Sequence, residues 1–134
     1  MTPRKLVRRV RAQPDQVRVI RQEVREFAVE HGATDPSAVA LAVSEAVTNA
    51  IVHAYADAPE PGDIEVIATR TGDDCLEIFV CDEGRGMLPR HDSPGVGLGL
   101  PLVATLAESF EVQARSGGGT QVRMAFPADE GTAA

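Results

Sequence analysis

A chain of 134 residues, 43% hydrophobic and 25% charged, is sized for one domain around a single core, with no room for a second catalytic module. It contains no run of apolar residues long enough to span a bilayer, and Met1 to Arg11 carries charges where a signal peptide needs its apolar stretch, so a cytoplasmic protein without membrane attachment is expected. The net charge of −7 is unevenly divided: residues 1–25 carry +6 and the remainder −13, so an acidic body repels phosphate and no aromatic platform accompanies the basic arm. An acidic protein partner fits this pattern better than direct contact with nucleic acid.

Lys5 to Arg11 reads as an edge strand with Leu6 and Val10 on one face, and an edge of this kind needs covering. Asp15 is expected to cap a helix whose Val17, Ile20, Val24, Phe27 and Ala28 fall at core spacing, and Gly32 to stop it. Arg18, Arg21 and Arg25 recur at i, i+3 and i+7 on the opposite side of that helix and form a candidate partner-binding stripe, with a plain solvated face as the alternative. Asp35-Pro36 starts the next helix, with the acid at the N-cap and the proline in the first helical position.

That second helix carries the chemistry. Val39, Ala42, Val43, Ala46, Val47, Ala50, Ile51 and Ala54 follow the rhythm of a buried face, while Glu45 and Asn49 share the adjoining flank one turn apart. His53 reads as a helix-end packing residue. After a loop at residues 58–62, Ile64, Val66 and Ala68 alternate as a half-buried strand should. Residues 71–74 turn the chain into a strand from Cys75 that ends at Asp82. Cys75 and Cys81 on that strand stand about 20 Å apart, beyond disulfide reach, so both are expected as buried thiols, with Cys81 a candidate for lining a pocket beside Asp82.

Asp82-Glu83-Gly84-Arg85-Gly86 follows, then Met87 to Pro94 with two prolines, then Gly95-Val96-Gly97-Leu98-Gly99-Leu100. A third helix is expected over Gly97 to Ala107, with Pro101 tolerated in its first turn. Phe110 to Arg115 and Gln121 to Phe126 form a closing hairpin around Gly117-Gly118-Gly119, with Thr120 following. The domain is expected to occupy residues 1–127, with a disordered tail over 128–134.

Taken in order, the Glu45/Asn49 helix, the Asp82-x-Gly84-x-Gly86 strand end, the second glycine box and the Gly-Gly-Gly-Thr turn resemble the Bergerat-fold ATP-binding domains of histidine kinases, gyrase-type ATPases, Hsp90 and MutL. Ser44-Glu45-Ala46-Val47-Thr48-Asn49-Ala50 with His53-Ala54-Tyr55, and Asp82-Glu83-Gly84-Arg85-Gly86, look most like the anti-sigma-factor serine kinases of the RsbW and SpoIIAB type. The resemblance covers roughly residues 35–127. It implies an α+β two-layer sandwich, a mixed, mainly antiparallel sheet with three helices on one face.

It also implies roles. Asp82 accepts a hydrogen bond from the adenine amino group, and Gly84 and Gly86 let the backbone approach the base. Backbone N–H groups around Gly95, Gly97, Gly99 and Leu100 cradle phosphates. Thr120 contacts the nucleotide from the sheet side, Asn49 ligates Mg²⁺, and Glu45 is the catalytic base toward an incoming serine hydroxyl. Arg90 is the arginine of a lid shorter than that of the sporulation-type kinases. The implied protein is an ATP- and Mg²⁺-dependent serine kinase, a homodimer through its N-terminal region. It sequesters a sigma factor and phosphorylates a STAS-type anti-anti-sigma protein. The alternative is a non-catalytic, nucleotide-gated binding switch of the same fold.

Overall fold

The computed structural model describes residues 4–54, 62–72, 74–84 and 100–129. In chain order it contains β1 (Lys5–Arg11), α1 (Asp15–Glu30), α2 (Pro36–Asn49) continuing into a π-helical turn (Ala50–Ala54), β2 (Asp63–Thr71), β3 (Cys75–Asp82), α3 (Leu100–Leu106), β4 (Ser109–Ala114) and β5 (Thr120–Pro127). The strands form one sheet in the order β1-β2-β3-β5-β4. Every recorded strand pairing is antiparallel, so the mixed component expected from the resemblance is absent among the described residues.

Period-two burial explains the layers. Ile64, Val66 and Ala68 on β2, Leu76, Ile78 and Val80 on β3, and Val122, Met124 and Phe126 on β5 all turn to the helix side and are buried. Against them lie Ile20, Val24, Phe27 and Ala28 of α1, Val39, Val43, Ala46 and Val47 of α2, and Val103 of α3. Each buried Ile, Leu, Val or Phe contributes about 1.5–3 kcal/mol by leaving water. Alanines at 40, 42 and 46 are buried as well, so α2 has a narrow body that fits between its neighbours. On the other face Val7, Ile67 and Phe79 stand in one cross-strand row, with Val7 exposed.

The helix ends follow local chemistry, with one departure. Asp35 Oδ1 accepts from the Ala38 N–H at 3.1 Å and Pro36 opens α2, as the sequence predicts. The cap of α1 is Pro14, not Asp15, and no side chain caps it. Asp15 lies inside the first turn, where its charge meets the positive end of the helix. Gly32, at φ 79°, ends the helix in a conformation that costs glycine nothing. Helix α3 is described from Leu100 to Leu106, with Pro101 in its first turn, and the expected start at Gly97 lies outside the described residues.

Ala128 and Asp129, expected within the disordered tail, are held in place. Ala128 bridges to Ala33, the Asp129 N–H donates to the Gly32 carbonyl at 2.7 Å, and the Ala128 N–H donates to the Asp74 carbonyl at 2.9 Å. Arg70, buried at the far end of β2's inward series, donates to the carbonyls of His31 and of Asp129, the latter at 2.8 Å. One guanidinium thus ties the α1–α2 corner to the chain leaving β5. Backbone polar groups satisfied in this way order the segment to Asp129 without apolar side chains. Residues 130–134 lie outside the described residues. No helix among the described residues is long and apolar enough to cross a membrane.

Candidate functional site

Glu45 and Asn49 sit on successive turns of α2. Glu45 is half-buried, while Asn49 is 3% exposed. Asn49 Nδ2 donates to the Glu45 carbonyl oxygen at 2.8 Å, inside its own helix. That bond uses one of the two Nδ2 hydrogens and orients the amide, whose other end is Oδ1, a hard carbonyl oxygen. Directly after Asn49 the helix widens: the Ala50 N–H is shared between the carbonyls of Ala46 and Val47, and a π turn runs to Ala54. Such widenings are frequent at functional sites. Nothing in the apolar periodicity, which continues unbroken to Ala54, announces this one.

The second half of the candidate site is the end of β3, a strand in contact with α2. Asp82 continues the inward series of Leu76, Ile78 and Val80, so its carboxyl turns toward the helix side of the sheet, and it is 1% exposed. Oδ1 accepts the Gly84 N–H at 3.0 Å, and the backbone N–H of Thr120, its register partner on β5, also donates to the carboxyl. Burial pushes the Asp82 pKa above the ordinary carboxylate range. The two N–H donors and the charge of Arg115 work in the opposite direction without cancelling it. A buried carboxyl with a raised pKa at a strand end is a candidate site group.

Two neighbours of Asp82 were not singled out by sequence reasoning. Arg115, in the β4–β5 turn, donates through Nη1 to the Asp82 carbonyl at 2.9 Å. Gly119, at φ 96°, packs so closely on β3 that a Cβ there would stand 2.0 Å from the Asp82 carbonyl oxygen. The glycine triplet signals a special turn, but only the β3–β5 pairing shows which glycine touches the site. For Arg115 no sequence signal exists.

Of the predicted residues, the structure places Asp82, Gly84 and Thr120 together at the β3–β5 end, with Thr120 fully buried, and Glu45 and Asn49 on the helix that covers this sheet. Gly86, Arg90, Gly95, Gly97 and Gly99 lie outside the described residues. Leu100 opens α3. Cys81 is buried but does not share a pocket side with Asp82: consecutive strand residues face opposite ways, and its Sγ lies 3.8 Å from Gln121 Oε1. Burial raises its thiol pKa, and both cysteines are free. Arg18, Arg21 and Arg25 are exposed along α1.

Comparison with known proteins identifies the family and the fold. Residues 10–126 match the model of the histidine kinase-like ATPase domain. The chain is 36% identical over 129 residues to the serine-protein kinase RsbW of Bacillus subtilis, covering 81% of this chain and 78% of that protein. It is 32% identical over 93 residues to the anti-sigma F factor of Heyndrickxia coagulans, where the match spans 61% of this chain and 63% of the relative. Among solved structures, the RsbU and RsbW domains of Rv1364c from Mycobacterium tuberculosis superpose with a TM-score of 0.72 at 28% identity, over 98% of this chain and 35% of that one. The mycobacterial sensor histidine kinase MprB shares the fold at a TM-score of 0.57 and 21% identity, over 93% of this chain and 99% of that one. With the family model matched across both halves of the site, the chain belongs to the histidine kinase-like ATPase domain family.

Proposed function

We propose that this protein is an ATP- and Mg²⁺-dependent serine kinase that holds a sigma factor and phosphorylates a STAS-type anti-anti-sigma protein on serine. The observation that carries the reading is the Glu45/Asn49 pair on a helix packed against a strand that ends in the buried carboxyl of Asp82. Relatives named serine-protein kinase RsbW and anti-sigma F factor support it.

In this reading the Asp82 carboxylate accepts from the adenine amino group, while Gly84 and Thr120 complete the wall around the base. Asn49, its Nδ2 already engaged, would hold Mg²⁺ through Oδ1. The ion, when bound, supplies charge neutralisation at the phosphates. Glu45 orients the serine hydroxyl and takes its proton as the oxygen bonds to the γ-phosphorus and ADP departs. By sequence position, Gly95, Gly97, Gly99 and Leu100 are assigned to phosphate binding and Arg90 to the γ-phosphate. The exposed stripe of Arg18, Arg21 and Arg25 is assigned to an acidic partner segment. The β1 edge, with Val7 on its open face, is assigned to a homodimer contact in the cytoplasm.

The test is incubation with γ-labelled ATP, Mg²⁺ and the STAS-type partner. Label on a serine of the partner is expected. Nucleotide binding without transfer would overturn the kinase reading in favour of a nucleotide-gated switch, and phosphate release alone would favour an ATPase. Glu45→Ala should bind Mg-ATP normally and lose transfer by about 10²-fold or more. Asn49→Ala should weaken the magnesium-dependent part of ATP binding.

A further inference from the structure

We propose that Arg115 is a positioning residue for base recognition: from the β4–β5 turn its guanidinium clamps the end of β3, so that the Asp82 carboxyl is presented to the adenine amino group as an acceptor. This inference rests on the assignment of Asp82 to adenine. The geometry comes from three contacts that converge on one residue. Arg115 Nη1 donates to the Asp82 carbonyl at 2.9 Å, the Gly84 N–H donates to Oδ1 at 3.0 Å, and Thr120 pairs opposite Asp82 in the ladder. Arg115 is itself held by the turn, where its N–H donates to the Gly119 carbonyl at 3.0 Å and its carbonyl accepts from Gly118 at 3.1 Å. The glycine turn and the arginine are therefore hydrogen-bonded to the strand end that carries the recognition carboxyl.

Charge adds a second effect. Arg115 is the charged group that acts favourably on the Asp82 carboxyl, against a larger opposing effect of burial. The other titratable groups around this strand end are engaged or directed elsewhere. Cys81 and Glu65 alternate onto the opposite face, Asp63 pairs with Arg9 and Arg11, and Glu83 pairs with Arg9 at 3.5 Å. Among the described residues of the α2 segment that packs on this sheet, the titratable groups are Glu45 and, on the π turn, His53. Ionisation strengthens a carboxyl as an acceptor for an amino group, so ligand affinity weakens as pH falls through its folded pKa, which here lies above the ordinary carboxylate range. Removing the arginine moves that loss to still higher pH, because its positive charge favours the ionised carboxyl.

The experiment is nucleotide binding by the full chain, measured from pH 5 to 9 by calorimetry. The ligands are ATP and purine riboside triphosphate, the analogue that lacks the 6-amino group. In Arg115→Gln the acid midpoint for ATP should rise, and the preference for ATP over the analogue should fall by about tenfold, the scale of a hydrogen bond to a charged group. Arg115→Lys, which keeps the charge without the fork, should leave the midpoint near that of the wild type while the preference still falls. Equal weakening of both ligands by Arg115→Gln, with an unmoved midpoint, would show that the residue only braces the hairpin and would overturn the proposal. Asp82→Asn separates the two failures. If it retains the wild-type preference and pH profile, the adenine assignment itself is wrong. If it abolishes them while Arg115→Gln changes neither, Asp82 stands and Arg115 falls.

Discussion

Substituting Gly119 by alanine tests how tightly the glycine turn is tied to the site. The added Cβ would stand 2.0 Å from the Asp82 carbonyl oxygen, 2.8 Å from Glu83 Cα and 2.9 Å from the Asp82 carbonyl carbon. All three are backbone atoms, so no side chain can rotate away, and the β3–β5 pairing at Asp82–Thr120 has to open. Gly118 provides the control: at φ 109° an alanine is similarly strained, but nothing lies within 4 Å of its Cβ. Backbone strain costs about 1–3 kcal/mol in either variant. The clash adds about 2–3 kcal/mol at Gly119, as overpacking plus a lost ladder bond. With an unfolding entropy of about 2.1 cal/mol/K per residue, each kcal/mol lowers the Tm of a domain this size by about 3–4 °C. Gly118→Ala should therefore lose about 4–10 °C, and Gly119→Ala about 7–10 °C more, in calorimetric melts without ligand. The clash should also displace Asp82, so Gly119→Ala alone should lose ATP affinity out of proportion to its stability. Melting temperatures within about 2 °C of each other would refute the close approach of the turn to β3.

Asp82→Asn should separate stability from recognition. A carboxyl whose folded pKa is raised stabilises the fold fully below its unfolded pKa, and that contribution is lost as pH rises through the folded pKa. At pH 8 the asparagine variant should therefore melt no lower than wild type, with any gain shrinking as pH is lowered toward 4, and a gain that grows on acidification would contradict the burial of an ionised group. Arg21→Glu with Arg25→Glu should abolish sigma-factor capture in a pull-down while ATP affinity stays unchanged. Full-strength capture at low and physiological salt would remove the stripe from the partner surface. Deleting residues 1–12 would strip β2 of its β1 partner as well as removing the proposed subunit contact. Val7→Asp is therefore the cleaner test of dimerisation, expected to give a monomeric mass in light scattering, and an unchanged mass excludes this edge.

What the sequence determined by itself is what depends on neighbours along the chain. Asp35-Pro36 started α2 because a cap and a first-turn proline act within three residues. The alternation in β2 and β3 sorted inside from outside because strands have a period of two. Glu45 and Asn49 shared a flank because a helix turns every 3.6 residues. The start of α1 was misplaced by one residue, since a favourable acid at a helix start fits the cap and the first turn equally well. Tertiary structure alone decided the rest. Local pattern carries no information about which strand lies beside which, and the order β1-β2-β3-β5-β4 is what sets Thr120, Gly119 and Arg115 against Asp82, residues 33 to 38 positions away along the chain. The same distance in sequence hid the docking of Ala128 and Asp129 on the α1–α2 corner, which Arg70 holds by hydrogen bonds to carbonyls and not by apolar burial. Composition announces burial of apolar residues, whereas a polar contact between distant backbone groups exists only once the chain has folded.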